Sequence, residues 1–97
     1  MFGNNWVIRE FGYCCYSFEQ FKDDNEIYAL IWNLYIYSKY RRQGYAKLIL
    51  QEIINKIKNI NNTCDIYIEA IPQEDSINLN NLISFYESLG LQVFTNQ

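Results

Sequence analysis

The chain contains no histidine, which removes the commonest general base and the commonest companion of cysteine in a metal site. Its three cysteines, Cys14, Cys15 and Cys64, are odd in number and lack the paired spacing of a zinc site. No metal is therefore expected, and the thiols read as reduced and mostly buried. Positive charge is also scarce: eight lysines and arginines stand against eleven aspartates and glutamates, a formal net charge of −3. Apart from a cluster at Lys39 to Arg42 the basic residues are scattered, so direct contact with nucleic acid is not expected. No apolar run approaches the roughly 18–20 residues that span a bilayer, and Met1 to Arg9 lacks the basic-then-apolar pattern of a signal peptide. A membrane partner is accordingly not expected, and the cytoplasm is the expected location. Neither Gly-x-x-x-x-Gly-Lys-Ser/Thr nor Gly-x-Gly-x-x-Gly occurs, which leaves nucleotide hydrolysis and dinucleotide-dependent redox chemistry without support.

What is present is a set of core formers. At 97 residues, 49% of them hydrophobic, the chain reads as one packed domain over residues 1–97, with no repeat, linker or low-complexity stretch. Trp6 to Arg9 and Tyr13 to Phe21 are β-prone runs, and Lys22 to Asn25 is a polar turn. Glu26 to Tyr37 is apolar on both parities, the pattern of a strand covered on both faces. From Gly44 onward Ala46, Ile49, Leu50, Ile53, Ile57 and Ile60 recur at three- and four-residue spacing, which predicts an amphipathic helix of about four turns ending at Asn59 to Asn62. Thr63 to Ile71 alternates as a strand, and Pro72 to Ile77 is a polar loop. Asn78 or Ser76 can cap a second helix with the stripe Leu79, Leu82, Ile83, Tyr86 and Leu89, closed by Gly90; Leu91 to Phe94 is a last short strand.

One stretch carries chemistry. The buried strand is followed by Arg41-Arg42-Gln43-Gly44-Tyr45-Ala46 and then a helix, so the unpaired N–H groups and positive dipole of a first helical turn meet a backbone bared by Gly44 and Ala46. Such a loop accepts an anion, with Arg41 and Arg42 adding charge-assisted bonds. The same residues also suit a turn glycine beside a solvated arginine pair, and spacing by itself leaves both readings open.

At these residues the chain resembles the Gcn5-related N-acetyltransferase (GNAT) family, whose pyrophosphate loop reads Arg/Gln-x-x-Gly-x-Gly/Ala after a strand. Arg41, Gly44 and Ala46 fill those places, with Leu34, Ile36 and Tyr40 at the family's upstream positions. A second motif, Asn-x-x-Ala-x-x-Tyr followed by Gly-Phe, is matched by Asn80 to Tyr86 and then Gly90-Leu91, with Ile83 and Leu91 departing from the pattern. The resemblance covers roughly Tyr13 to Phe94. It implies a minimal GNAT fold of the α/β (α+β) class, a central mixed, mostly antiparallel sheet with two helices in the order β-β-β-α-β-α-β. It also implies acetyl-CoA as cosubstrate. The family's N-terminal strand, its two acceptor-lining helices and its last strand find no counterpart, which implies an open acceptor side suited to a protein lysine. Stretches such as Tyr13 to Ser17, Arg42-Gln43-Gly44 and Pro72 to Ile77 leading to Phe85-Tyr86 further resemble short phage or mobile-element acetyltransferases that act as anti-CRISPR factors by acetylating a lysine of a type V RNA-guided nuclease. The implied partner is a protein with an exposed lysine, such as a host defence nuclease.

The resemblance also implies roles. Backbone groups of Leu34, Tyr35 and Ile36 would pair with the pantetheine arm, and Arg41, Arg42, Gln43, Gly44, Tyr45, Ala46 and Lys47 would hold the pyrophosphate. Asn80 corresponds to a cofactor-contacting asparagine, though it also suits a simple helix start. Tyr86 corresponds to the general acid for the leaving thiolate, its bland alternative being a core tyrosine. An oxyanion would be met by a backbone N–H near Leu34 or Tyr35, which requires a bulge in that strand. With no histidine, Glu69 is the acidic residue of a central strand available as base, unless water carries the proton. Two other functions stay open beside lysine acetylation: a GNAT-like module that inhibits by protein contact without turnover, and a small-amine acetyltransferase, in which a homodimer would supply the missing acceptor walls.

Overall fold

The structure, a computed structural model, describes residues 3–72 and 77–95. Ser76 and most of the polar loop at 72–77 lie outside the described residues. The first strands form a meander. β1 (Asn4–Arg9) and β2 (Gly12–Gln20) pair antiparallel across a turn at Glu10 and Phe11, and β2 pairs antiparallel with β3 (Ile27–Ile36). The intervening turn is held by Phe21 N–H to Glu26 O at 3.0 Å and by Asp24 Oδ1, which accepts from Glu26 N at 2.8 Å, the short-side-chain device expected of Asp in turns. At the start of β2 only glycine fits: a Cβ on Gly12 would sit 2.1 Å from the Tyr35 carbonyl oxygen.

From β3 the chain turns to parallel pairing. A 3₁₀ turn at Ser38–Tyr40, which the sequence pattern did not announce, leads to α1 (Tyr45–Ile60); β4 (Ile66–Glu69), α2 (Leu79–Ser88) and β5 (Gln92–Phe94) follow. The five-stranded sheet keeps the order β1-β2-β3-β4-β5, with β3/β4 and β4/β5 parallel. The expected order β-β-β-α-β-α-β and the mixed sheet, antiparallel in its longer pairings, are thus both observed. Two successive crossovers in the same direction along a sheet place both helices on one face when each is right-handed, the near-universal hand. The burial agrees: Ile49, Leu50, Ile53 and Ile57 of α1 and Tyr86 of α2 join Cys14, Ala29, Ile31, Ile66 and Ile68 in one core, with Leu79, Leu82, Ile83 and Leu89 against it.

Three expectations need correction. The strand expected over Thr63 to Ile71 is only Ile66–Glu69. Its first residues form a turn in which Asn61 Oδ1 accepts from Thr63, and past Ile68 the strand leaves its neighbour β3, Glu69 pairing with β5 alone. Ile60, counted in the helical stripe, is 66% exposed because it lies on the last turn, beyond the sheet. And β3 does not have a helical layer on both faces among the described residues. Tyr28, Leu30 and Trp32 are half-buried on the face opposite the helices, shielded by neighbouring side chains. Caps behave as read: Asn78 Oδ1 accepts from Asn81 N at 3.1 Å, Asn61 ends α1, and Gly90 takes a positive φ of 85° after α2. No helix of the described residues is long and apolar enough to cross a membrane.

Candidate active site

Two irregularities in β3 create the site. Opposite Cys14 of β2 the strand has an extra residue, because Tyr13 pairs with Tyr35 but Cys15 pairs with Trp32. Asn33 takes φ 55°, a left-handed conformation asparagine tolerates better than most residues, and the bulge falls beside Leu34. In addition, β3 and β4 are registered only over Ala29 to Ile31 and Ile66 to Ile68. Beyond those residues the parallel strands part, and cavities open in the wedge.

The first cavity, about 330 Å³, lies at the start of α1. Its loop is tightly built. Arg41 Nε donates to Ile36 O at 2.8 Å and its guanidinium sits 5.0 Å over the Tyr35 ring; Gln43 Nε2 donates to Lys39 O at 3.0 Å. Arg42 and Gly44 both have positive φ, 64° and 84°. Gly44 is the N-cap, no side chain caps the helix, and a Cβ at Gly44 would meet nothing within 4 Å. An anion can therefore approach the backbone and the first-turn N–H groups. Behind them Phe11 stacks on Tyr45 at 4.4 Å, Tyr40 meets Tyr45 edge-on at 5.6 Å, and Tyr40 Oη donates to Glu10 at 3.0 Å. That bond to a carboxylate pushes the Tyr40 phenol above its ordinary pKa.

Of the residues assigned to the cofactor from sequence, Leu34, Ile36, Arg41, Arg42, Gly44, Tyr45, Ala46 and Lys47 line this first cavity, and Tyr86 joins them. Three do not. Gln43 is exposed and closes the loop onto Lys39, Asn80 is exposed in the first turn of α2, and Tyr35 lines a second cavity. No acidic side chain occurs among the described residues lining the first cavity.

The second cavity, about 480 Å³, is lined by Trp32, Asn33, Tyr35, Glu69 and Pro72, among others. Its charge is opposite, Glu69 being the ionisable carboxylate there. Leu34, Ile71 and Tyr86 line both cavities, so the two meet at the bulge. Tyr86 is 4% exposed, and burial, with the Cys14 thiol beside it as a smaller cause, pushes its pKa up to about 12. The phenol stays neutral at any physiological pH. Cys14 is pushed from 9.0 to about 12, chiefly by burial, and all three cysteines are free and buried, so none is a ready nucleophile. Cys64 lies in the turn before β4, its Sγ 3.5 Å from Asn61 O.

Sequence reasoning missed Ile71, Ile77, Leu82 and Phe85 as apolar walls of the first cavity and Trp32 and Asn33 as walls of the second. Ile71 read as a strand residue and Leu82 as core stripe. Only Asn33, a lone polar residue in an apolar strand, was a usable signal.

A bulged β3 that parts from its parallel neighbour β4, with a glycine-capped helix N-terminus at the mouth of the cleft, gives a site whose backbone N–H groups can accept an anion. The sequence profile of the acetyltransferase (GNAT) domain matches residues 3–93, and the chain belongs to that family. Among curated proteins, none matches the chain. Domains of this family use acetyl-CoA, and the residues present fit it: a positive rim, an open glycine cradle and an apolar channel leading to Tyr86.

Proposed function

We propose that this protein is an acetyl-CoA-dependent N-acetyltransferase acting on a lysine of a protein, and that it serves to disarm a host defence nuclease. The observation that carries the transferase reading is the meeting of a cationic cavity and an acidic, aromatic one at Leu34, Ile71 and Tyr86. Phosphates and an amine of opposite charge are thereby drawn to two sides of one point. The assignment of the nuclease as target rests on the resemblance of short stretches, such as Tyr13 to Ser17 and Arg42-Gln43-Gly44, to phage and mobile-element acetyltransferases.

Acetyl-CoA supplies an activated acetyl thioester. The first turn of α1, with Arg41, Arg42 and Lys47, holds its pyrophosphate, and the segment Leu34–Ile36, past the last residue paired with β4, walls the arm. In the overall reaction an N–C bond forms and the C–S bond breaks; of the two protons lost by the ammonium, one ends on the thiol and one in solvent. Glu69 holds the ammonium by charge, and water relays its proton outward. Tyr86 Oη, at about 12, lies above a thiol of ordinary pKa near 8.5 by about three and a half units. Full proton transfer from it would cost roughly 5 kcal/mol at 1.36 kcal/mol per unit. Tyr86 therefore keeps its proton and donates a hydrogen bond to the departing sulfur.

Replacing Tyr86 with Phe tests this. The expected result is a fall in kcat of about a hundredfold, as for other donors to developing charge, with acetyl-CoA affinity within threefold of wild type. An unchanged rate would remove Tyr86 from the mechanism, and a wild type with no turnover that still binds a partner would favour a contact inhibitor.

A further inference from the structure

The sheet face opposite the helices carries no layer of secondary structure among the described residues, yet it is rich in aromatic rings. Register places Trp6 beside Cys15, Tyr13 beside Tyr35, and Cys15 beside Trp32 on this face. The rings touch in series. Trp6 meets Trp32 edge-on at 5.8 Å and Tyr13 at 5.8 Å; Tyr13 stacks on Tyr35 at 5.7 Å, and Tyr37 meets Tyr35 edge-on at 5.9 Å. They are not core: Trp6 is 48% exposed, and Tyr35 and Tyr37 are 38% exposed.

The layer is also held in place. The Trp32 indole N–H donates to Ser17 Oγ at 3.4 Å, Ser17 in turn donates to Glu19 at 2.8 Å, and Ser17 and Cys15 are buried. Rings fixed before binding lose little conformational freedom when a partner covers them, and a contiguous exposed aromatic surface is what protein interfaces use. The patch has a direction too. Trp32 and Tyr35 are at once members of it and walls of the second cavity, where Glu69 lies. The Tyr35 ring already carries the Arg41 guanidinium, but the Trp32 ring and the Glu69 carboxylate together favour a further cation, so the partner that fits carries positive charge into that cavity.

The geometry points to this face as the docking surface for the acceptor: a lysine-bearing protein segment lies across Trp6, Tyr13, Tyr35 and Tyr37 and turns its lysine past Trp32 toward Glu69. The inference rests on the acetyl-transfer reading above and adds to it where the substrate's flanking residues bind. A nucleic acid does not suit a surface edged by Glu19 and Glu69, and a second copy of this chain, itself net negative, brings no complementary charge.

The test compares two acceptors, Nα-acetyl-lysine methylamide and a pool of nonapeptides with a central lysine and randomised flanks, by release of the CoA thiol from acetyl-CoA. Wild type is expected to show kcat/KM at least tenfold higher for the peptide pool. Trp6→Ala and Tyr37→Ala, whose residues line neither cavity, are expected to lose at least fivefold on the peptides while staying within twofold on the small amine. Variants that keep the peptide advantage, or that lose both activities equally, overturn the docking surface. A wild type that sediments as a dimer and becomes monomeric as Trp6→Ala assigns the face to a second copy and also overturns it. Thiol release with neither acceptor removes the transferase reading itself, and the inference falls with it; release with the small amine alone refutes only the docking.

Discussion

Gly44 offers the sharpest perturbation, because conformational cost and charge can be separated there. Its φ of 84° lies where a side chain costs about 1–2 kcal/mol, and its Cβ position is otherwise open. Gly44→Gln and Gly44→Glu share that cost and nearly the same bulk. At roughly 4–8 °C per kcal/mol for a domain of this size, both should melt about 4–16 °C below wild type and still fold. They differ by one charge at the mouth of the cradle. Two unit charges ~6 Å apart repel by ~3 kcal/mol at an effective dielectric of 20, or about a hundredfold in affinity. Calorimetric titration with acetyl-CoA should therefore show Gly44→Gln weakened by about tenfold and Gly44→Glu by about a further hundredfold, the gap narrowing at 1 M salt. Equal affinities for the two variants would refute the idea that the loop at Gly44 holds phosphate.

Two other perturbations test the fold. Gly12→Ala forces a Cβ against the Tyr35 backbone carbonyl, and unlike Gly44 it has no space to enter; a loss of ~3 kcal/mol or more is expected in urea unfolding, and a loss under 1 kcal/mol would contradict the close approach of β2 to β3. Alkaline pH should also destabilise the protein. Below pH 9 the Cys14 thiol is protonated in both states; above it the unfolded chain ionises while the native thiol holds its proton to about 12, so the unfolded state binds fewer protons and stability falls as pH rises. Tyr86 adds to the fall between about 10 and 12. At ~1.4 kcal/mol per unit, Cys14 accounts for a loss of ~2 kcal/mol by pH 10.5, and Cys14→Ala should make the curve less steep between pH 9 and 10, with Cys15, also raised by burial, keeping part of the slope. Equal slopes in the two proteins would show that Cys14 is not the cause.

Much of this architecture was legible in the sequence because periodicity and punctuation agree. The stripe from Ile49 to Ile57, the stop at Asn61, the Asn78 cap and Gly90 each announce a boundary through local chemistry, and the structure uses them all. The open glycine at the start of α1 was legible for the same reason, since the run from Arg41 to Ala46 leads directly into the helical stripe. What sequence could not provide is how elements lie against one another. The bulge depends on pairing with β2, the wedge depends on where β4 leaves β3, and the second cavity gathers Trp32 and Asn33 of β3, Glu69 of β4 and Ile71 just beyond it. Apolarity on both parities in β3 was misleading for a physical reason: its aromatic residues shield each other on a face that no helix covers among the described residues. Gln43 lies within the loop motif and Asn80 matches the second motif, yet one closes its own loop and the other faces solvent.

The most direct test of the central claim is amine-dependent thiol release by the purified wild-type protein, with mass spectrometry of the acceptor on the same samples. Acetyl transfer requires free CoA and acetylated lysine to accumulate in equal amounts, at a rate that rises with acceptor concentration. Thiol release that is absent, or that proceeds without any acetylated amine, would contradict it.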